Sequence, residues 1–496
     1  MIGLVLGLNP RGILISNLEI EHMSETLKHI RHLYNRAGFG LSASQMGQLS
    51  GRPVMVEARR LCEQAVDNKP LEVLDQNPFE EYAAQQGSMT RMAMVQMIQK
   101  DLKASSKQIP DLNVEWMHQM VDHKTLVREK LTLFWHDHFS VRLKNGYLVQ
   151  QHNNTLRTHA MGKYGDLLLA VAKDPAMLLF LNNQQNRKKR PNENFARELL
   201  ELYTLGRGHY SESDVKNAAR AFTGWTFNRV TGEFQFRPGQ HDFGPKQFMG
   251  RQGDLDGDDI INILLGQEQT ARFLATKLYH FYVSDSPDED VISSMAARLK
   301  KTDYDMADLL EYMFTADWFY EDRFIQNKIK SPVELINNLR IQLGLSFQQP
   351  RALIYLERVL GQVLFFPPSV NGWPMGREWI DSSSLINRMR LPAALAKGSE
   401  LGLLAKDDGD DNNPIKISGE RSFRTALMDW KALDRLTEDS PNDEQMIAVY
   451  AEFLLNQELP EPIQKAMLGE LKKKKEQDKK PWLATTIAGL PEYQLS

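Results

Sequence analysis

Apolar residues recur at three- and four-residue intervals along most of the chain, which is the spacing of one face of an α-helix. A clear example is the segment 124–139, KTLVREKLTLFWHDHF. Its stripe at i, i+3, i+4 and i+7 consists of Leu131, Phe134, Trp135 and His138. The dominant pattern therefore predicts a mainly α protein with a multi-helical globular body.

The pattern changes to a period of two in one segment. Residues 225–236, WTFNRVTGEFQF, alternate aromatic and polar positions around Thr231 and Gly232. Such alternation around a turn is typical of a β-hairpin. We therefore expect one small β-hairpin as an insertion in the helical body.

The distribution of these patterns predicts how the chain is divided. Residues 20–400 carry the strong helical segments and the hairpin, and they predict one core domain. The run DDGDDNN within residues 401–422 has the composition of a linker or an exposed loop. Residues 423–496 return to helical spacing, and we expect them to pack on the core as a C-terminal segment.

Residues 191–206, PNENFARELLELYTLG, form a predicted helix with well-marked ends. Pro191 suits the start of the helix, Asn192 suits the N-cap and Gly206 suits a left-handed C-cap. The apolar face, which we expect to point inward, contains Phe195, Leu199 and Leu202. We call residues 191–206 the central helix.

The polar face of the central helix concentrates groups suited to a site. Asn194, Glu198 and Glu201 fall on one stripe at i, i+4 and i+7. Arg197 lies next to this stripe. One interpretation is a polar wall of an active site. The other is a solvated surface on which Arg197 pairs with Glu193 and Glu201.

The segment FWHDHF carries two histidines, His136 and His138. Residues two apart on a helix are rotated by roughly 200°, so both can bind one metal only if the helix ends between them. We assign His136, His138 and Glu201 as candidate metal ligands, with a divalent metal as the candidate cofactor. The alternative is that both histidines are semi-buried structural residues.

The hairpin leads into the loop 240–246, QHDFGPK, which contains three groups suited to catalysis. His241 titrates near neutrality, Asp242 is placed to orient it, and Lys246 supplies a positive charge. The candidate catalytic set is His241, Asp242, Lys246, Asn194, Arg197 and Glu198. The alternative is a surface loop in which Asp242 caps its own turn and His241 is exposed.

Three further features bear on function. The segment 253–259, GDLDGDD, lacks the spacing of a calcium loop, and we expect Asp258 to cap the following helix. The segment 365–379 is too rich in Pro and Gly for a helix. We expect its two tryptophans, Trp373 and Trp379, either to plug the core or to line a ligand cleft. Arg36 is either a surface residue or a site residue.

Composition excludes several classes of protein. The 496 residues are 42% hydrophobic and 25% charged with a net charge of −4, which fits a globular protein and gives no electrostatic case for nucleic acid. The single Cys62 excludes an intrachain disulfide. No apolar run approaches the ~18 residues of a membrane span. The N-terminal run has no basic region before it, which argues against a signal peptide and favours the cytoplasm.

The order of the motifs closely resembles the bacterial family catalogued as domain of unknown function 1800, from about Leu33 to the final PEYQ. Besides the central helix, the motifs are NRAGFG, FWHDHF, DPAMLLFLNN, ARAFTGWTF, HDFGPK, KSPVEL and PPSVNGWP. The resemblance implies a mainly helical protein and supplies no catalytic residues. Members are often exported and encoded beside sulfatase-like proteins, which implies a periplasmic or secreted location and a sulfatase-like partner.

Two functional hypotheses follow. The first is an enzyme for hydrolysis or group transfer on a polar, glycan-like substrate, with a cleft formed by the central helix, the FWHDHF segment and the loop 240–246. The second is a non-catalytic binding or assembly protein of the cell envelope, in which the same residues form a structural network. Convergence of the three segments on an open pocket distinguishes the first hypothesis from the second.

Overall fold

Helices account for most of the protein, as the spacing of apolar residues predicts. The computed structural model describes residues 25–65, 67–397, 426–434, 436 and 442–496, together with the backbone of 7–8, 14–15 and 17–24. The predicted linker 401–422 and most of the N-terminal apolar run lie outside the described residues. Within those residues, no helix has the length and apolar character needed to cross a bilayer.

Ten helices precede the central helix in the described part of the chain. They are α1 Asn17–Ala37, α2 Ala43–Leu49, α3 Val54–Gln64, α4 Pro78–Gln85, α5 Arg91–Ser106, α6 Ile109–Gln119, α7 Leu126–His138, α8 Gly146–His159, α9 Tyr164–Lys173 and α10 Pro175–Phe180. From the start of the central helix to the gap after residue 397, the α-helices are α11 Asn194–Glu198, α12 Glu212–Ala221, α13 Gly257–Gly266, α14 Glu268–Tyr282, α15 Glu289–Lys301, α16 Met306–Phe314, α17 Pro332–Gln342, α18 Ala352–Leu360 and α19 Ser382–Lys397. The C-terminal helices are α20 Trp430–Asp434, α21 Asp443–Leu455, α22 Glu461–Leu471 and α23 Glu476–Ala488.

The strands are short and form antiparallel pairs. The predicted hairpin is confirmed, with Trp225 opposite Phe236. The pairs are β1 Gly7–Leu8 with β2 Leu14–Ile15, β3 Trp225–Phe227 with β4 Phe234–Phe236, β5 Lys246–Phe248 with β6 Arg251–Gly253, and β7 Ser346–Phe347 with β8 Ala426–Leu427. The expectation of one small hairpin is therefore extended to further pairs in the described residues; the second hairpin, 246–253, lacks the alternation of aromatic and polar residues that marks 225–236.

The central helix is not a uniform α-helix. Its first turn, α11, continues as a π-helix over Leu199–Thr204, and Gly206 ends it with φ of +83°, as the C-cap prediction requires. The helix begins at Asn194 with Glu193 at the N-cap, so the expectation that Asn192 is the N-cap is wrong by one residue; the Asn192 side chain nevertheless accepts the Asn194 N–H at 3.0 Å. A π-turn displaces backbone carbonyls from the α-helical ladder, and such turns are frequent at functional sites.

Two large clusters of buried apolar residues form the core. The first draws on α1, α3 and most helices from α7 to α16, and the second draws on α6, α17 to α19 and α21 to α23. Helix α7 contributes to both: Leu131 and Phe134 to the first and Leu133 to the second. Every residue of α7 except Asp137 is buried. Helix α7 therefore lies between the two clusters.

Capping explains one of the acidic segments and corrects a detail. The start of α13 is capped by Asp256, which accepts the N–H of Asp259 in a reciprocal capping box. The expectation that Asp258 forms this cap is therefore wrong. Both carboxylates lie next to the helix start, and the sequence alone does not separate them because the first helical residue is Gly257.

Candidate functional site

The loop 240–246 holds its three candidate residues in separate contacts. His241 is buried, and its Nδ1–H donates to the Thr223 carbonyl at 2.7 Å. Asp242 accepts from Arg220 at 2.7 Å, and this bond lowers the pKa of the carboxyl group. The buried Lys246 donates to Asp254 at 3.2 Å.

The alternative interpretation of this loop, a surface loop in which Asp242 caps its own turn and His241 is exposed, is correct only for Asp242. Asp242 accepts the Gly244 N–H at 2.8 Å and so caps its own turn. His241, however, is buried rather than exposed, and its ring contacts those of Phe236 and Phe243. The contacts of the loop therefore contain elements of both sequence interpretations.

The polar face of the central helix is largely paired at the surface. Arg197 contacts Glu193 at 3.1 Å and Glu212 at 2.8 Å. Glu201 accepts from Arg207 at 2.5 Å and from Tyr210 at 2.6 Å, so its partner is not Arg197. The polar face accordingly shows the pairing expected of a solvated helix surface.

Two candidate residues on this face have a different environment. Asn194 donates to the Leu181 carbonyl at 3.1 Å. Glu198 is half-buried, and burial, followed by the charge of Glu201, raises the pKa of its carboxyl group. Within the described ranges, no hydrogen bond or ion pair joins this face to the loop 240–246. Helix α12 lies between them and pairs with both, through Glu212 and Arg220.

The two histidines of α7 face different neighbours. His136 lies against Trp116 and Phe365, accepts the Phe365 N–H at 3.1 Å, and has its pKa lowered to about 3 by burial. The pKa of His138 also lies well below its ordinary value because of burial. The helix ends after His138 and not between the two. The predicted metal set His136, His138 and Glu201 therefore does not converge.

Other combinations of possible metal ligands in the described residues do not converge either. In the part of the chain that the structure describes, no group of three or more His, Cys, Asp and Glu side chains is arranged to hold a metal ion. The divalent metal stays a prediction from sequence, without a ligand set among these residues.

His138 instead joins α7 to the π-turn of the central helix. The Tyr164 hydroxyl donates to the Tyr203 carbonyl in a short hydrogen bond, so its oxygen accepts from Nε2–H of His138 at 3.2 Å. Lys277 lies 3.2 Å from Nδ1 of His138 and donates to the Leu202 carbonyl at 3.2 Å. The carbonyls of Leu202 and Tyr203, in the last turn of the central helix, are therefore satisfied by side chains.

A charged cavity lies on another face of α7, where the two core clusters meet. Its volume is about 30 Å³, which is room for one or two water molecules. The lining residues are Leu133, Asp137, His280, Phe281, Lys328, Ser331, Glu334, Gln362, Trp373, Pro374, Met375, Gly376 and Trp379. Clefts between packed units are common places for ligand sites.

Glu334 is the ionised carboxylate of this cavity. It forms a short ion pair with Lys130, contacts Lys328 at 3.3 Å and accepts the Ser331 N–H at 2.6 Å. Burial opposes ionisation, but the neighbouring lysines hold the pKa of Glu334 far below its ordinary value. The carboxylate is therefore negative throughout the physiological range.

Asp137 is the second carboxyl group of the cavity, and its pKa is shifted in the opposite direction to that of Glu334. Burial raises its pKa to about 6, against the effects of the Trp373 N–H and of Lys277. Its Oδ1 accepts the Trp373 N–H at 2.7 Å. Gly372 lies against the same carboxylate with φ of +78°, where a Cβ would collide with it. Asp137 thus anchors the Pro- and Gly-rich loop over the cavity.

This loop answers the question that its two tryptophans raised. Trp373 and Trp379 are each 6% exposed and line the cavity. The loop therefore closes the core and walls a cavity at the same time.

Arg36 is buried and does not lie at the surface. Its guanidinium donates to the Phe324 carbonyl and to Asn327.

Sequence reasoning did not single out Asp137, Glu334 and Lys328. Glu334 is the N3 residue of a capping box with Ser331, so its pattern already has a local explanation. Asp137 lies between two histidines that drew attention to metal binding. The available signal was that FWHDHF, KSPVEL and PPSVNGWP, three motifs of the family resemblance, supply Asp137, Glu334 and Trp373 to one cavity.

These features define a mainly α-helical protein with small two-stranded antiparallel sheets and a charged cavity between two core clusters. The chain belongs to the family described as protein of unknown function (DUF1800), whose model matches residues 32–495. No curated protein and no solved structure matches the chain significantly. Membership of the family establishes no reaction.

Proposed function

We propose that the protein is an enzyme for hydrolysis or group transfer on a polar, glycan-like substrate, and that the chemistry takes place at the cavity of α7. One observation carries the proposal: two carboxyl groups line the same cavity and their pKa values are displaced in opposite directions. Such a pair separates the role of proton donor from that of fixed negative charge.

Asp137 is the group that transfers the proton in this proposal. With a pKa of about 6 it is substantially protonated in weakly acidic solution, and it lies at the cavity wall. Glu334 stays ionised and is the fixed negative charge that holds Lys130 and Lys328 in place, so that Lys328 binds polar groups of the substrate at the cavity. Trp373 and Trp379 supply planar apolar walls against which a sugar ring packs.

A sugar ring is larger than the cavity, so the substrate has to displace part of the loop that covers it. The segment from Trp373 to Trp379 forms that cover, and the side chain of Met375 within it is 41% exposed. We expect substrate to enter at this segment. Loops that close over a reaction site in this way exclude water and complete the site.

The test compares two carboxylate-to-amide variants. A screen of chromogenic glycosides and polysaccharides at pH 4–8 identifies the substrate, and Asp137→Asn then lowers kcat by at least about 100-fold. The amide in this variant keeps an oxygen for the Trp373 N–H, so thermal unfolding changes little. Glu198→Gln, on the central helix, is the matched control and leaves kcat within about threefold. The reverse result places the chemistry on the central helix.

A second candidate is a non-catalytic binding or assembly protein of the cell envelope that acts with a partner such as a sulfatase-like protein. The extensive pairing of buried polar groups supports it, since Glu334, His136 and His138 all have partners within the fold. A screen without turnover, together with large stability losses for both amide variants, favours this candidate over the enzyme.

A further inference from the structure

Four consecutive basic residues form an exposed turn before the central helix. The turn is closed by the Arg190 N–H, which donates to the Arg187 carbonyl at 2.8 Å. Arg187, Lys188, Lys189 and Arg190 are all exposed. Among the described residues none of the four has an ion-pair partner. A concentration of unpaired positive charge is therefore presented to the surroundings.

Two exposed phenylalanines lie beside this turn, Phe236 at the end of β4 and Phe243 in the loop 240–246. Phe243 is 57% exposed and Phe236 is 40% exposed. Their ring centroids lie 4.7 Å and 5.2 Å from that of the buried His241, so they flank one imidazole ring. Burial of large apolar side chains lowers the free energy, yet these two side chains remain partly exposed to water.

Backbone hydrogen bonds fix the turn beside the phenylalanines. The Lys188 N–H donates to the Gln240 carbonyl at 2.8 Å, immediately before His241. The Gly224 N–H donates to the Asn186 carbonyl at 3.0 Å, which ties the hairpin to the base of the turn. We call Arg187, Lys188, Lys189, Arg190, Phe236 and Phe243 the basic–aromatic patch.

The nearest carboxylate in the loop does not cancel the charge of the patch. Asp242 is paired with Arg220 at 2.7 Å and accepts the Gly244 N–H. These contacts, with the bond from His241 to the Thr223 carbonyl, hold the loop in place. His241 and Asp242, two of the candidate residues of the loop 240–246, thus support the position of Phe243.

We infer that the basic–aromatic patch docks the protein on a surface of anionic lipid headgroups. Clustered Lys and Arg are attracted to such a surface, and phenylalanine, which has no polar atom, enters the boundary with the acyl chains. A nucleic-acid strand requires a basic groove that follows its backbone over several nucleotides. The cations here are confined to one four-residue turn, which suits a flat charged surface better than a strand.

The experiment is co-sedimentation of the full chain with vesicles. Vesicles of phosphatidylcholine alone are compared with vesicles that also contain phosphatidylglycerol, at low and high salt. We expect binding to the mixed vesicles that weakens with salt. The double variant Lys188→Glu/Lys189→Glu binds at least about tenfold more weakly. Phe243→Ser also weakens binding, whereas Phe243→Trp retains it.

Matched controls separate the patch from general effects of charge and apolarity. Lys103→Glu/Lys107→Glu makes the same charge change at exposed positions of α5 and its C-cap, and Met92→Ser removes an apolar side chain that is 73% exposed. Both controls bind as the unmodified protein does. Thermal unfolding verifies that each variant is folded.

Three results overturn the inference. The first is no sedimentation of the unmodified protein with mixed vesicles at low salt. The second is an equal loss of binding in the patch variants and the controls. The third is binding of a single-stranded oligonucleotide or an acidic polysaccharide through the same patch residues, with vesicles left unbound. None of these results bears on the cavity proposed for catalysis, since the patch and the cavity share no residue.

Discussion

The polar face of the central helix and the cavity face of α7 carry similar side chains in different surroundings. On the central helix, Arg197 pairs with glutamates on a face that water reaches. On α7, Lys130 pairs with Glu334 where both side chains are almost fully buried. Both helices carry basic residues that pair with glutamates. The contribution of each ion pair to stability nevertheless differs, because it depends on how much water contacts the two charges.

The difference shows why conspicuous polar residues are a poor guide to a buried site. A charged stripe at i, i+4 spacing is easily recognised and is mostly a property of solvated helices. Lys130 and Asp137 stand on either side of the mostly apolar run LTLFW in α7 and look like interruptions of a core helix. The structure gives those interruptions partners from α14, α17 and the loop after α18. Five predictions test this comparison, from the largest expected effect to the smallest.

Glu334→Gln is expected to lower the free energy of unfolding by about 3–5 kcal/mol, because it leaves Lys130 and Lys328 buried without a carboxylate. Urea unfolding measures the change. Glu201→Gln is the matched variant on the central helix. The Glu201 side chain is 15% exposed, but its partner Arg207 is 84% exposed and stays solvated without the carboxylate, so the expected change is below about 1 kcal/mol. Equal effects of the two variants contradict the comparison.

Gly372→Ala is expected to cost about 2–4 kcal/mol. The position has φ of +78°, and a Cβ would collide with the carboxylate of Asp137. Gly208→Ala is the control, because its φ of +84° is similar and no atom lies within 4 Å of the added Cβ. The control isolates backbone strain, at about 1 kcal/mol. A loss no larger for position 372 than for position 208 excludes close packing on Asp137.

Tyr164→Phe is expected to cost about 1–3 kcal/mol, since it leaves the Tyr203 carbonyl and the Nε2–H of His138 without their partner. Tyr203→Phe removes only a contact of 3.8 Å with the sulfur of Met177 and is expected to cost less. Thermal unfolding compares the two variants. If both cost the same, the side-chain bonds to the π-turn contribute little.

The pH dependence of stability tests the environment of Asp137. Its folded pKa is raised from 3.8 to about 6, so its contribution to stability is fully present below about pH 4 and is lost as the pH rises through 6. The unfolding free energy of the unmodified protein, relative to Asp137→Asn, therefore falls by about 1–2 kcal/mol between pH 4 and pH 7. The lower end is expected because Asp137 retains some exposure. A flat difference contradicts the raised pKa.

Arg197→Met is expected to change the unfolding free energy by less than about 1 kcal/mol, although Arg197 contacts two glutamates. Exposed ion pairs gain little because water already solvates both partners. High salt is expected to abolish the remaining effect. Urea unfolding at two salt concentrations measures it. A loss above about 2 kcal/mol shows instead that the polar face of the central helix is organised like the buried cluster.

Much of the fold follows from local sequence. The helical spacing predicted the mainly α architecture, and the alternation around Gly232 predicted the pairing of β3 with β4. Ser211 and Asp214 have the spacing of a capping box, and the box is present at the start of α12. These features depend on contacts within a few residues of each other, which is why a single sequence is sufficient for them.

The candidate site was much less accessible to sequence reasoning. Asp137 and Trp373 are joined by a hydrogen bond across more than two hundred residues of chain. The pKa of Asp137 depends on burial by residues from several helices, and none of that burial is encoded next to the aspartate. The candidate residues that the sequence did single out also have partners that are remote in sequence, as in the ion pair of Asp242 with Arg220.

The sequence by itself determined the helices, the hairpin, the family and the absence of an intrachain disulfide. Those properties depend on spacing, capping and composition, which are local or additive. Only the tertiary structure decided which charges lose contact with water and which carboxylates share a cavity. The reason is physical: desolvation and Coulomb interactions depend on distances between elements that are remote in sequence, so the same glutamate is a helix cap by its pattern and a buried counter-ion in the fold.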